Sequence, residues 1–338
     1  MKDVYENARK LMKGYCRVCK ECDGYACAGE VPGMGGLGTA LSFKANVTAL
    51  KEIRFNMRLI HDVTEPDTSV SILGKNLSMP VIAAPIGGVS FNMGGLVSEE
   101  EYIRSVIFGC KAKGIIGCTG DGVPDFIHET GLGIIKEAEG HGIPFIKPWA
   151  DKELFEKLEK VGHCKTGIMG MDIDAAGLIT LKKMGRPVTP KTLEKLSQII
   201  KQAPAKFILK GVMTVDDAKL AVDAGADAIV VSNHGGRVLD YTPGAATVLP
   251  DISAAVKGKI TLLADGGVRT GGDVLKLLAL GADAVMIGRP FSVAAMGGLQ
   301  NGVELYIDKI RTELEQAMVL TGTPSIGAVS GAILHNYK

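Results

Sequence analysis

The chain has 338 residues, 44 of them glycine, and its 38 Lys and Arg nearly balance its 37 Asp and Glu. An apolar fraction of 46% excludes a disordered chain, and the balanced charge argues against a protein that binds nucleic acid or an anionic membrane. No apolar stretch reaches the roughly 18 residues that a membrane span needs, and the charged start of the chain does not resemble a secretory signal. We therefore expect a soluble globular protein.

The first notable segment holds four of the seven cysteines, at the spacing C-x2-C-x2-C-x4-C: Cys16, Cys19, Cys22 and Cys27. An odd number of cysteines and the absence of a secretion signal predict reduced thiols and a cytoplasmic location. The spacing is compatible with zinc or an iron–sulfur cluster, although it departs from the bacterial ferredoxin pattern because Ala28 follows Cys27. Surface thiols without a metal are the alternative interpretation.

The first 75 residues show no regular alternation of strand and helix. They contain a glycine-rich stretch, Tyr25–Thr39, and then Ala45–Arg58, which is typical of a helix followed by extended chain. We interpret residues 1–75 as an N-terminal cap segment that carries the cysteines. Together with residues 76–338 it should form one structural domain.

From about residue 76, short apolar runs alternate with helical patterns. Continuous runs of Val, Ile, Leu and Ala are typical of buried parallel strands. The runs are Met79–Ala84, Gly114–Cys118, Pro144–Lys147, Gly167–Met171, Lys206–Lys210, Ala226–Val231, Ile260–Ala264 and Ala282–Ile287. Eight such units, two of which share an Ala-Asp-Ala entry into the strand, predict an α/β fold, a (β/α)8 TIM barrel over residues 76–338. A doubly wound sheet is the alternative.

Chemically active side chains follow several predicted strands, and the carboxyl ends of strands are where such barrels place their active sites. His234 and Arg237 follow the sixth strand. An imidazole can accept a proton near neutral pH, and an arginine can hold a carboxylate with two parallel hydrogen bonds. The other five histidines lack comparable neighbours, and we interpret them as structural.

Two further strand ends carry glycines next to an arginine. Gly266, Gly267 and Arg269 follow the seventh strand, and Gly288 and Arg289 follow the eighth. Backbone N–H groups of such turns commonly bind phosphate in barrels, so the pattern predicts a phosphate site.

Lys210, at the end of the fifth predicted strand, has two functional interpretations. The first is a Schiff-base lysine, as in barrel aldolases, and the second is a positive charge beside an electron-rich cofactor ring.

The segments 209–212 (LKGV), 226–240 (ADAIVVSNHGGRVLD), 264–269 (ADGGVR) and 287–290 (IGRP) resemble the FMN-dependent 2-hydroxy acid oxidase/dehydrogenase family, which includes glycolate oxidase, lactate oxidase and flavin L-lactate dehydrogenase. The resemblance implies an FMN cofactor and oxidation of a small L-2-hydroxy acid, lactate-like or glycolate-like, to the 2-oxo acid. It also implies a homo-oligomer, a tetramer, and an electron acceptor that the sequence does not identify.

The resemblance further implies a role for each matching position. His234 would be the base, Asp172 its charged partner, Arg237 the carboxylate clamp and Tyr25 a side chain over the substrate. Lys210 would face the N1–C2=O edge of the flavin. The other residues implied in cofactor binding are Ala84, Pro85, Ile86, Gly87, Thr119, Ser232, Asp265, Gly266, Gly267, Arg269, Gly288 and Arg289.

Two departures from the family pattern affect the substrate site. The family has a second substrate arginine after the fourth strand, where this chain offers only Lys182, Lys183 or Arg186, and Lys147 stands where the family has a tyrosine. Three other functions therefore stay open. They are an FMN-dependent isomerase of the isopentenyl diphosphate isomerase type, a Lys210 Schiff-base lyase, and a flavin-binding or metal-binding protein without catalysis.

Overall fold

The computed structural model, which describes residues 1–178, 181 and 184–336, contains a closed barrel of eight parallel strands. A hairpin of β1 (Val70–Ile72) and β2 (Lys75–Leu77) precedes it. The barrel strands are β3 (Val81–Ala83), β4 (Ile116–Thr119), β5 (Ile143–Ile146), β6 (Ile168–Asp172), β7 (Lys206–Val212), β8 (Ala228–Val231), β9 (Thr261–Ala264) and β10 (Ala284–Ile287). Each strand pairs with the next, and β10 pairs with β3. The (β/α)8 barrel prediction is confirmed, and the doubly wound sheet is excluded.

The helices surround the barrel. Their bounds are α1 (Lys2–Leu11), α2 (Leu41–Glu52), α3 (Val89–Met93), α4 (Glu99–Ala112), α5 (Phe126–Glu137), α6 (Asp151–Gly162), α7 (Leu193–Gln202), α8 (Val215–Asp223), α9 (Ala245–Val256), α10 (Gly271–Ala279) and α11 (Arg289–Thr321). Three short 3-10 turns cover Ile173–Gly177, Ile326–Ala328 and Gly331–Ile333. Helix α11 is interrupted at Leu299, whose φ is +49°. None of the described helices has the length and apolar character of a membrane span.

Alternation along the strands divides the core into two layers. Side chains such as Ile82, Phe145 and Val230 fill the barrel interior, while their neighbours in sequence pack outwards against the helices. Ile72 and Leu77 of the hairpin belong to the interior cluster. Because the hairpin directly precedes β3, these two side chains close the barrel at the amino ends of its strands, and its carboxyl ends are left for the site.

The N-terminal segment packs against the loops that follow the carboxyl ends of the barrel strands. The carboxylate of Asp240 accepts hydrogen bonds from the backbone N–H and the hydroxyl of Thr39, at 2.6 and 2.7 Å. Buried Asn46 of α2 donates to Asn233 Oδ1 at 2.7 Å. The predicted boundary at residue 75 falls inside β2, so the segment and the barrel are joined through the hairpin.

Candidate active site

A cavity of about 340 Å³ opens at the carboxyl ends of the barrel strands. His234, Asp172 and Arg237 line it, as predicted for the substrate side. Eleven of the predicted cofactor residues also line it: Ala84, Pro85, Ile86, Gly87, Lys210, Asp265, Gly266, Gly267, Arg269, Gly288 and Arg289. The fold therefore brings most of the predicted site together around one space.

Two predicted cofactor residues do not line the cavity. Cys118 faces the barrel interior, so Thr119, the next residue of β4, faces outwards, with its Oγ1 packed towards Gly131 of α5. Ser232 is fully buried, and its hydroxyl accepts the backbone N–H of His234 at 3.1 Å. Thr119 therefore packs towards α5 and not into the cavity, and Ser232 holds the His234 loop through this hydrogen bond.

Tyr25 also lies away from the cavity, which corrects its expected place over the substrate. Its side chain is 69% exposed, and the Lys44 ammonium lies 4.4 Å from the ring centroid. Its backbone N–H donates to Asp23 Oδ1 at 3.1 Å, a local turn that carries the ring outwards. The N-terminal segment reaches the cavity instead through Val31, Pro32 and Met34.

The imidazole of His234 is held by a carboxylate, but not by the one predicted. Its Nδ1 lies 2.9 Å from Oδ1 of Asp174, which is not among the predicted site residues. Asp172 instead pairs with Lys210 across β6 and β7, at 3.3 Å, because the two residues are register partners. The signal available in the sequence was a second aspartate two positions after the first, at the same strand end.

A glycine makes the approach of Asp174 possible. Gly211 lies at an irregularity in the β7–β8 pairing and has φ +109°. A Cβ atom at Gly211 would lie 2.6 Å from the Cβ of Asp174. Any other residue would be strained at this positive φ and would clash with Asp174, so the position requires glycine.

Lys210 is buried in the middle of three carboxylates. Burial alone would lower the pKa of its ammonium, but Asp172, Asp174 and Asp265 raise that pKa above its ordinary value. Burial likewise raises the pKa of Asp265, a shift that Lys210 partly offsets. The site therefore holds a fixed positive charge that is largely neutralised by its own carboxylates.

Arg237 is half-buried and donates to neutral acceptors. Its Nη1 donates to the carbonyls of Gly33 and Gly35, at 2.6 and 3.1 Å, and its Nη2 donates to Asn92 Oδ1 at 2.9 Å. Burial without a carboxylate partner lowers the pKa of Arg237 to about 10. Its remaining N–H groups and its uncompensated charge make it suited to an anion.

Two further arginines share one aromatic ring. The guanidinium carbon of Arg289 lies 3.8 Å from the Phe43 ring centroid, and that of Arg269 lies 5.8 Å from it. Burial and the nearby Arg237 lower the pKa of Arg289 to about 9. A phosphate placed here would relieve the repulsion among these cations.

The donor set around the cavity fits FMN. Cationic guanidinium groups and glycine turns on the loops after β9 and β10 suit its phosphate. A Cβ at Gly267 would lie 2.5 Å from the backbone oxygen of Asn46, so this turn has to be glycine. Buried Oδ1 of Asp265 has no hydrogen-bond partner within the described residues, and a ribityl hydroxyl would supply one.

The N-terminal cysteines do not form a metal-ligand set. Within the part of the chain that the structure describes, no three of their sulfur atoms lie within 4.8 Å of one another. Cys22 instead accepts a hydrogen bond from Arg269 Nη2 at 3.4 Å. The structure therefore does not support the expected zinc or iron–sulfur site at Cys16, Cys19, Cys22 and Cys27.

A buried glutamate outside the predicted site orients the loop after β3. The carboxylate of Glu99 accepts the backbone N–H groups of Gly88 and Val89, at 3.0 and 2.7 Å. It thereby fixes the turn that carries residues 84–87 along the cavity. The sequence offered only a glutamate at the start of a predicted helix, which is common and therefore not diagnostic.

Comparison with known proteins agrees with this arrangement. A family model described as FMN-dependent dehydrogenase matches residues 33–180 and 173–336. The 4-hydroxymandelate oxidase of Amycolatopsis orientalis is 32% identical over 323 residues, which cover 87% of this chain and 90% of the relative. The 2-hydroxyacid oxidase 2 of Bos taurus is 30% identical over 325 residues, with 88% and 90% coverage. The crystal structure of mandelate oxidase matches with a TM-score of 0.80 at 27% identity, over 99% of this chain and 97% of that one.

Proposed function

The chain belongs to the FMN-dependent 2-hydroxy acid oxidase/dehydrogenase family. We propose that its substrate is a small L-2-hydroxy acid, lactate-like or glycolate-like, which it oxidises to the 2-oxo acid. The observation that carries the proposal is the His234–Asp174 pair at 2.9 Å in the cavity that Arg237 and Lys210 also line. Such a cavity offers a base, a carboxylate-binding cation and a charge that stabilises a reduced ring.

His234 acts as the base in this proposal. The Asp174 carboxylate accepts the Nδ1 proton, so the Nε2 lone pair remains to take a proton from the substrate. The imidazolium that results lies beside Asp174, whose pKa is held below its ordinary value. Burial alone would raise that pKa, but His234 and Lys210 together lower it. The pair therefore stabilises the charge that proton transfer creates.

The other residues orient the substrate and the cofactor. Bound FMN supplies the oxidant, because it accepts the two electrons that the 2-hydroxy acid loses. Arg237 would bind the substrate carboxylate, and Lys210 would stabilise the negative charge that reduction places at the N1–C2=O edge of the ring. Arg269, Arg289 and the glycines after β9 and β10 hold the phosphate, and Asp265 holds the ribityl chain.

The lyase alternative is disfavoured by the surroundings of Lys210. A Schiff-base lysine must lose its proton before it attacks a carbonyl. The three carboxylates around Lys210 raise its pKa above the ordinary value and keep the amine protonated. The isomerase alternative is left as an outcome of the experiment.

The experiment is an anaerobic visible spectrum of the purified protein before and after addition of L-lactate or glycolate. We expect a yellow protein whose flavin absorbance bleaches, no bleaching with D-lactate, and a loss of the bleaching rate by several orders of magnitude in His234→Ala. A colourless protein that FMN does not reconstitute would refute the proposal. Substrate turnover without net flavin reduction would favour the isomerase, and borohydride trapping on Lys210 would favour the lyase.

The homo-tetramer implied by the family resemblance and the cytoplasmic location stay predictions. Light scattering of the holoenzyme tests the first and cell fractionation tests the second. The electron acceptor is to be identified by reoxidising the reduced enzyme with oxygen, a quinone or a carrier protein.

A further inference from the structure

We propose that Lys147 is a second substrate-binding cation, which holds the carboxylate of the 2-hydroxy acid together with Arg237. The inference rests on the proposed function and concerns the site that lacks the expected second arginine. It assigns that role to a residue on a different strand from the one where the family pattern places it.

The position of Lys147 follows from the barrel register. Lys147 directly follows β5, and Ile146 of β5 pairs with Met171 of β6. Lys147 therefore comes level with Asp172, which is in register with Lys210 on β7. All three line the cavity, so Lys147 stands in the same row as the charged groups of the site.

The backbone of Lys147 is held rigidly. Its N–H donates to Oδ2 of the buried Asp121 at 3.0 Å, and its carbonyl accepts from the backbone N–H of Trp149 at 2.8 Å. Asp121 is itself fixed by Lys157 at 2.8 Å and by the Trp149 indole N–H at 2.6 Å. The side chain of Lys147 therefore projects from a fixed point into the cavity.

The ammonium of Lys147 forms no ion pair with the described part of the chain. No carboxylate there lies within 4.0 Å of it, and it donates no hydrogen bond to the described residues. The other candidates for the second cation either form ion pairs or lie outside the described residues. Arg186 donates to Glu153 and Asp125, at 2.6 and 2.7 Å, and Lys182 and Lys183 lie outside the described residues.

Charge accounting favours a carboxylate as the ligand of Lys147. Lys210 is already balanced by Asp172 and Asp265, at 3.3 and 3.9 Å. Arg237 and Lys147 line the same cavity, and neither forms an ion pair within 4.0 Å in the described residues, although Lys147 lies near enough to help lower the pKa of Asp174. One substrate carboxylate can compensate both charges, since a carboxylate accepts hydrogen bonds at two oxygens.

The test compares Lys147→Met, Lys147→Arg and the control Lys152→Met, an exposed lysine of α6, in the FMN-loaded enzyme. Anaerobic flavin reduction is measured against the concentration of L-lactate and of uncharged L-lactamide. We expect Lys147→Met to raise the half-saturating lactate concentration roughly 10- to 100-fold, with less than about a threefold change in the limiting rate. The preference for lactate over lactamide should decrease by the same factor in Lys147→Met. Lys147→Arg should retain most of the wild-type preference.

Binding of oxalate, a non-reacting carboxylate, gives a readout that does not need turnover. We expect calorimetry to show a weaker oxalate complex in Lys147→Met and an unchanged one in Lys152→Met. Equal losses for lactate and lactamide, or an unchanged half-saturating concentration with a lower limiting rate, would overturn the carboxylate assignment. A wild-type enzyme that no 2-hydroxy acid reduces would instead refute the proposed function, so the two failures are distinguishable.

Discussion

The Nδ1 atom of His234 lies 2.9 Å from Oδ1 of Asp174, while Asp172, two residues earlier, pairs with Lys210. Asp174 thus contacts the imidazole, while Asp172 contacts the buried ammonium. The 3-10 turn that begins at Ile173 changes the chain direction after β6 and so directs the second aspartate towards β8. His234 itself has φ +57°, which turns its side chain from the end of β8 towards that carboxylate.

Replacement of Asp174 by Asn should reduce the limiting rate of flavin reduction roughly 10²- to 10⁴-fold with little change in the half-saturating substrate concentration. An amide can present its N–H to His234 Nδ1, which stabilises the wrong tautomer and withholds the lone pair from Nε2. Anaerobic stopped-flow reduction measures both constants. Asp172→Asn is the matched comparison, and an equal loss of rate in both variants would contradict a specific pairing of Asp174 with His234.

Substitution of Gly211 by Ala should reduce activity through Asp174. The added Cβ would lie 2.6 Å from the Cβ of Asp174, so that side chain must move away from His234. The positive φ adds a backbone cost of about 1–2 kcal/mol. Gly225→Ala is the control, because Gly225 has φ +86° but nothing within 4 Å of the added atom.

Both glycine variants should lose stability in urea unfolding, while only Gly211→Ala should lose limiting rate. Equal rates in the two variants would show that the Gly211–Asp174 contact does not position the base.

The sequence predicted the barrel strands to within two residues because each is a continuous apolar run bounded by turns. It did not predict which aspartate meets His234, since that depends on a turn after β6 and on the irregularity at Gly211. Thr119 was misplaced for a related reason. A short strand that is apolar on both faces shows no alternation of polar and apolar residues, so its sequence does not indicate which residue faces inwards.

The error at Tyr25 has a different origin. The course of the glycine-rich N-terminal segment is set by contacts with distant loops, such as those of Gly33 and Gly35 with Arg237. A local motif cannot reveal such contacts. The hairpin that closes the amino end of the barrel was missed because its two strands have only three residues each.

Replacement of Arg289 by Met should weaken FMN binding roughly 10- to 100-fold. The guanidinium packs against the Phe43 ring, and burial together with the nearby Arg237 lowers its pKa to about 9, so a bound phosphate should stabilise its charge. Fluorescence titration of the apo-protein with FMN measures the dissociation constant. Arg104→Met serves as the control, because Arg104 forms ion pairs with Glu100 and Glu137 on the surface. An unchanged constant in Arg289→Met would remove Arg289 from the phosphate site.

His128 should make the protein sensitive to acid below about pH 6.5. It is 1% exposed on α5, and neither ring nitrogen has a hydrogen-bond partner within the described residues. Burial lowers its pKa from 6.5 to about 4, an effect that Asp121 partly opposes and that Lys157 and Lys160 reinforce. Between these two pH values His128 is protonated in the unfolded chain but not in the folded protein. The free energy of unfolding therefore falls as the pH drops from 6.5 towards 4.

The expected loss from this one residue is about 3 kcal/mol across that pH range, and it is absent at pH 7.5, where His128 is neutral in both states. Urea unfolding at pH 7.5, 6.0 and 5.0 measures it. In His128→Leu, the slope of the unfolding free energy against pH should be smaller by the equivalent of up to one proton. His163→Gln, which alters an exposed histidine, should leave this slope unchanged. If His128→Leu and the wild type lose stability in parallel between pH 6.5 and 5.0, the acid sensitivity arises from other groups, because a buried neutral histidine must contribute to that slope.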